Sequence, residues 1–253
     1  MHHNKNTFNI KVLATLFFML FSFSMSYSQV GDVKESSKND TRENRSSDRY
    51  SGSSSNVFFI FELINFVPVM IQAHKDMLDR KQDEPWLVSL DLGLNAGYYS
   101  SESTSVLLPS IRGNWGLFSS QVRWNRMQDL TGSFKTIDWQ VIQFNLVATP
   151  KANFRFGTGV SYIKETNVTV NEHFLGLELH FKDRSINPLM EVRWSQNYDT
   201  GSTPRFEMNI ASDYRIGTFG NFDVNIMGGF LYQRYYSETN FYFVQTGINI
   251  HFY

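Results

Sequence analysis

The stretch Trp86-Leu87-Val88-Ser89-Leu90-Asp91-Leu92-Gly93-Leu94-Asn95-Ala96-Gly97-Tyr98 decides how the chain is read. Every even-numbered residue in it is apolar. The odd positions hold Leu87, Ser89, Asp91, Gly93, Asn95 and Gly97, mostly small or polar. A period of two puts one set on each face of an extended strand, whereas a helix repeats its apolar positions at three and four residues. The pattern returns down the chain. Phe118, Val122 and Trp124 oppose Ser119, Gln121, Arg123 and Asn125, and Phe154, Phe156, Val160 and Tyr162 oppose Arg155, Gly157, Gly159 and Ser161. Leu175, Leu177, Leu179 and Phe181 oppose Gly176, Glu178 and His180, and Met190, Val192 and Trp194 oppose Glu191, Arg193 and Ser195. The last three repeats set Phe206 to Ile216 against Arg205, Glu207, Asp213 and Arg215, Phe222 to Tyr232 against Asp223 and Asn225, and Tyr242 to Phe252 against Gln245 and His251.

Two weaker segments, Ser105 to Asn114 and Thr136 to Ala148, bring the count to ten strands. In the second, the outward set shifts from Trp139 and Val141 to Ile142, Phe144, Leu146 and Ala148, which predicts a bulge near Val141 and Ile142. Pro109 and Pro188 each remove a ladder donor, and bulges are expected there too. Without those two segments the count falls to eight.

A soluble sandwich would bury the apolar face, and a membrane barrel would turn it to lipid. Three features favour the barrel. The polar face carries Arg, Asp, Glu and Asn, while the Lys residues after Trp86 (Lys135, Lys151, Lys164 and Lys182) lie near turns. A confined lumen suits Arg, whose planar fork pairs with carboxylates. Connections alternate between short ones, such as Asn114 to Gly116, and longer polar ones, such as Arg126 to Lys135. Aromatics gather at strand ends: Tyr98, Trp124, Trp139, Tyr162, Trp194 and Tyr235 toward the long loops, and Trp86, Tyr214 and Phe252 toward the short turns. Two such belts fit two membrane interfaces. Ten-residue strands rising about 3.3 Å per residue and tilted about 40° span roughly 25 Å, the height of a barrel's apolar band.

Composition agrees. The 253 residues include 23 Phe and 12 Tyr, only 19% are charged, and the formal charge is -1. A mean hydropathy of -0.31 excludes a polytopic helical membrane protein. The balance of charge gives no field for nucleic acid. Zero Cys excludes a disulfide scaffold, a thiolate zinc site and a cysteine-linked lipid anchor.

The N-terminal region divides in three. Lys5 and Lys11, the apolar run Val12 to Phe23 and the small-x-small site Ser26-Tyr27-Ser28 form a secretory signal pattern over residues 1–28, with an uncleaved anchor as the alternative. Residues 29–55 are polar and are expected to form a disordered periplasmic tether. Residues 56–82 show polar positions at helical intervals among many apolar ones. They are expected to form an amphipathic helix on a membrane interface, kinked or split at Pro68. A pair of strands is the competing reading of that segment.

The whole of residues 86–253 resembles the small outer-membrane β-barrel proteins of Gram-negative bacteria, and Tyr242 to Tyr253 is similar to their C-terminal strand. That resemblance implies an all-β fold: an antiparallel transmembrane β-barrel of about ten strands, eight to twelve, preceded by the amphipathic helix. It also implies residence in the cell outer membrane, contact with outer-membrane lipid, and delivery by the barrel-assembly machinery.

The polar face assembles Asp91, Arg112, Arg123, Asp138, Arg155, Glu178, Glu191, Arg193, Arg205, Glu207, Asp213, Arg215 and Asp223, seven acids and six bases. Near balance predicts an interlocked network filling the lumen, since unpaired buried charge is costly. A selectivity-determining pore lining is the functional alternative. No catalytic residue, cofactor site or metal motif is expected. His180 and His251 face the lumen near the short turns, without a Ser–His or Asp–His pair evident in the sequence. The leading expectation is a structural or surface-interaction role, with loops such as Arg126 to Lys135 meeting an unidentified partner. A small channel or transporter comes next, then a lipid-modifying enzyme, then a soluble lipocalin-like barrel.

Overall fold

The computed structural model describes residues 29–44, 56–181 and 184–253. Ten strands follow in order: β1 (Val88–Tyr99), β2 (Thr104–Trp115), β3 (Phe118–Gln128), β4 (Ser133–Ala148), β5 (Ala152–Ile163), β6 (Val168–Leu179), β7 (Ile186–Gln196), β8 (Arg205–Phe219), β9 (Phe222–Tyr235) and β10 (Thr239–Phe252). Each pairs antiparallel with its sequence neighbour. β10 returns to β1 from Leu90↔Phe252 to Tyr98↔Val244, so the sheet is a closed barrel. Closure gives every strand two partners, as a bilayer requires of backbone that would otherwise sit unpaired in hydrocarbon.

The alternation sorts as the sequence predicts. Arg123, Asp138, Arg155, Arg193 and Glu207 are buried inside, while Leu94, Ile111, Ile210, Phe230 and Ile248 are exposed outside. This polarity is the reverse of a soluble protein's and removes the lipocalin-like reading.

The predicted bulge is present: the β4–β5 register shifts between Trp139 and Ile142, and the β3–β4 register shifts opposite it between Ser119 and Gln121. The bulges expected at the two prolines are absent. Register runs unbroken from Leu107↔Arg126 to Ser110↔Arg123 past Pro109. Pro188 sits one position beyond the last β6–β7 pair, Glu178↔Leu189, where that ladder has already ended. The long loops are also shorter than expected. The strands continue through most of Arg126 to Lys135, leaving only the turn at residues 129–132.

Two helices precede the barrel, α1 (Gln29–Asn44) and α2 (Asn56–Asp79). The expectation of a disordered periplasmic tether over residues 29–55 is therefore corrected for residues 29–44, and residues 45–55 lie outside the described residues, as does the signal segment 1–28. α1 sits in the long-loop mouth. Val30, Val33 and Ser37 lie along one side of the helix, at i, i+3 and i+7, and are buried. The two valines join an apolar cluster with Val106, Leu108, Met127, Phe134, Ile163, Leu231, Tyr235, Phe241 and Phe243. Four turns hold the helix. The Val30 N–H, orphaned at the helix start, donates to Asp129 at 3.3 Å. Ser36 donates to Glu238 at 2.9 Å and Ser37 to Thr166 at 3.3 Å, while Asp40 accepts from Asn197 at 3.0 Å and Thr200 at 2.8 Å.

α2 is not split at Pro68. A 3-10 turn, Arg80–Gln82, follows it. Its last turns rest on the opposite, short-turn rim. The His74 ring meets Trp115 edge-on at 4.8 Å, and the Leu117 N–H donates to His74 Nδ1 at 3.3 Å. Met77 packs with Leu87, Leu117 and Ala148. Gly116, at φ +58°, lies so close to His74 that a Cβ would come within 2.9 Å of the ring, so this turn needs glycine on both counts. Ala148, expected outward, is buried there because a second β4–β5 irregularity, between Asn145 and Val147, reverses its side. Among the described residues no helix is long and apolar enough to cross a membrane.

Candidate functional site

The lumen has three decks. The middle deck is ionic. Arg123 donates to Asp138 at 2.9 Å and to Glu207 at 2.5 Å, joining β3 to its neighbour β4 and across the interior to β8. Arg205 bridges Asp138 at 2.9 Å and Glu172 at 3.3 Å. Arg193 lies 4.6 Å above the Phe174 ring, pairs with Glu172 at 3.4 Å and donates to Gln121 at 2.6 Å. Three guanidinium groups thus face three carboxylates, with Gln233 on Glu207 at 2.8 Å and Ser161 on Asp138 at 2.7 Å using further lone pairs. Such a layer is stable only when each charge is partnered, because desolvation is otherwise uncompensated.

The deck toward the long loops is apolar, formed by the cluster that α1 closes. Sequence reading did not foresee it. Phe241 and Phe243 share the inward parity of Gln245, but alternation reports which side a residue faces and not what surrounds it. Tyr235, expected in the outer aromatic belt, is likewise inward and buried, with its hydroxyl accepting from Asn125 at 2.9 Å.

The deck toward the short turns is a polar vestibule with two cavities of about 50 and 80 Å3. Asp91 anchors it, accepting from Arg112 at 2.8 Å and Asn114 at 2.8 Å and bonding His251 Nδ1 at 2.8 Å. The Asp–His pair that the sequence hid is thus real. Among the described residues its ring bonds to Asp91 and to no hydroxyl, so no nucleophile is lined up with it. Arg155 pairs with Glu191 at 3.3 Å and with Glu178 at 3.8 Å. Asp213 accepts from Asn249 at 3.0 Å, and Arg215 pairs with Asp223 at 3.0 Å. Glu172 is the ion-layer member that sequence reading missed. Its strand alternation already marked it: it lies on the inward parity of Gly176 and Glu178.

His180 follows β6 at this end. Its Nε2 accepts from Arg184 at 2.6 Å, so Nδ1 carries the proton toward Asn187 Oδ1 at 3.0 Å. Burial, assisted by the Arg184 guanidinium, holds the imidazole below its ordinary pKa. A histidine depressed in the folded state contributes full stability above its unfolded pKa, and loses it as pH falls through that value. The expected result is a larger drop in urea midpoint from pH 7.5 to pH 5.5 for the natural chain than for His180→Gln. Equal drops would refute the assignment.

Of the expected belt residues, Tyr98, Trp124, Trp139, Tyr214 and Phe252 are exposed on the outer wall, and Tyr162 and Trp194 are half-buried there. Trp86 departs from them: Arg184 covers its ring at 4.1 Å, and it walls the vestibule.

A closed barrel with an ionic interior and an apolar outer wall defines an integral β-barrel protein of a cell outer membrane, since lipid is the solvent that such a wall fits. No protein-family model matches the sequence, and no curated protein does. Among solved structures the chain is similar to the NanC porin at 10% identity and TM-score 0.37, over 64% of this chain and 99% of that one. It is similar to the KdgM porin at 8% identity and TM-score 0.33, over 66% and 99%. The N-terminal β-barrel domain of Pseudomonas aeruginosa OprF matches at 10% identity and TM-score 0.32, over 65% and 97%.

Proposed function

We propose that this protein is a non-conducting outer-membrane barrel whose role is structural or lies in contacts made at its long-loop end. One observation carries the reading: the lumen is crossed at two levels, by the Glu207–Arg123–Asp138–Arg205–Glu172–Arg193 layer and by the apolar deck under α1. A ten-strand barrel has little interior left once its side chains fill it. The contact surface is the rim of long-end turns together with α1, where Leu130 and Tyr198 stand out into solvent at 89% and 65% exposure. Among the described residues neither lumen histidine is joined to a nucleophile, and no catalytic residue is assigned.

The polar vestibule favours a second reading, a small channel, since it resembles the inner half of a pore. Planar bilayers decide between the two. Purified full-length protein is expected to give no stepwise current, and reproducible unitary steps would overturn the non-conducting reading.

A further inference from the structure

The apolar deck does not end at the barrel wall. Leu231 and Phe243, both buried in the cluster that Val30 and Val33 close, also back a groove of about 750 Å3. Tyr98, Phe230, Tyr232, Tyr242 and Val244 form its outer sides. The groove arises from unequal strand lengths. β1 last pairs with β10 at Tyr98↔Val244 and then passes into the 3-10 turn Ser100–Glu102, while β10 runs on to Thr239 against β9. Beyond Tyr99, whose ring meets Phe241, Tyr242 and Phe243 at 6.2–6.5 Å, the wall lacks one strand's side chains.

Three properties restrict the occupant. Among the described residues no ionised side chain lines the groove. Its opening lies on the wall that faces lipid, so hydrocarbon competes for it without the desolvation that a polar ligand would suffer. Its volume falls in the range of about 300–1,000 Å3 typical of small-molecule sites. Tyrosines at its edge offer rings to acyl chains and hydroxyls toward the headgroup level.

We propose that this groove binds an acyl chain of an outer-leaflet lipid, and that the cup beneath α1 is the inner end of the same site. In the closed state Val30 and Val33 fill the cup. Release of α1 would let the chain extend inward past Leu231 and Phe243. The ionic layer below is untouched by this motion, so the inference goes beyond the non-conducting reading and does not depend on it.

The test uses the full chain in vesicles of phosphatidylethanolamine and phosphatidylglycerol. A benzoylphenylalanine at position Phe243 should form lipid adducts on irradiation, read by intact mass. The yield should rise several-fold when Val30→Asp and Val33→Asp are added. The same probe at Phe230, which faces outward, should form adducts in both backgrounds, and at Gln233, in the ionic layer, in neither. Heat-modifiable mobility confirms closure of each variant, and position Leu231 replaces Phe243 if the latter fails to close. Adducts at Phe230 with none at the inward position in either background would overturn the proposal. So would a cross-link to a second copy of the chain in place of lipid. Unitary currents from a barrel that still forms the inward adduct would remove the non-conducting reading alone.

Discussion

Replacing Arg123 with Met is expected to lower stability by about 3–5 kcal/mol, the usual loss when one partner of a buried ion pair is removed. The reason is what remains. Glu207 would keep the Gln233 amide at 2.8 Å, but its nearest guanidinium contact would be Arg193 at 3.9 Å. Asp138 would fare better, because Arg205 still bridges it at 2.9 Å. The double replacement Arg123→Met with Glu207→Met should therefore recover much of the loss, since it removes the stranded charge along with the bond. The measurement is the urea midpoint of the heat-modifiable band in vesicles. If the double variant is no more stable than the single one, Glu207 is not the residue that Arg123 neutralises.

The second large effect lies on the opposite face of the wall. Ile210 is 48% exposed near the middle of β8, and Ile210→Arg is expected to cost about 2–4 kcal/mol if it meets lipid at mid-membrane. Asn209, its neighbour in sequence, turns into the vestibule and accepts from Gln245. Asn209→Asp adds a charge among polar groups and not in lipid, so its midpoint should move far less. Equal losses at the two positions would argue against an apolar wall facing lipid.

These two predictions draw on different layers of information. The side that Ile210 and Asn209 face could be read from residue types alone, because a strand's geometry forces alternate residues to opposite faces. The same rule placed Arg123, Glu207, Arg193 and Arg205 inside. Partnership was beyond it. Arg123 and Glu207 are 84 positions apart, and meet because strand tilt and stagger bring β3 and β8 to one level across the lumen. Alternation carries no record of that stagger.

α1 shows the same boundary from the other side. Residues 29–55 read as disordered because their composition offers too little apolar surface to offset ordering entropy. Two valines suffice where a cup lined by Phe134, Phe241 and Phe243 receives them and four turns supply polar partners. A short polar helix of this kind is held by tertiary contact and not by its own propensity.

Sequence by itself determined a barrel of about ten strands, the central β4 bulge and most of the inward charges, because each follows from a two-residue period that backbone geometry imposes locally. Tertiary structure alone decided which charges pair, where the lumen turns from ionic to apolar, and that the polar N-terminal segment becomes a helix seated in the mouth. Those outcomes depend on groups distant in the chain being brought to a common height, which only closure of the sheet does.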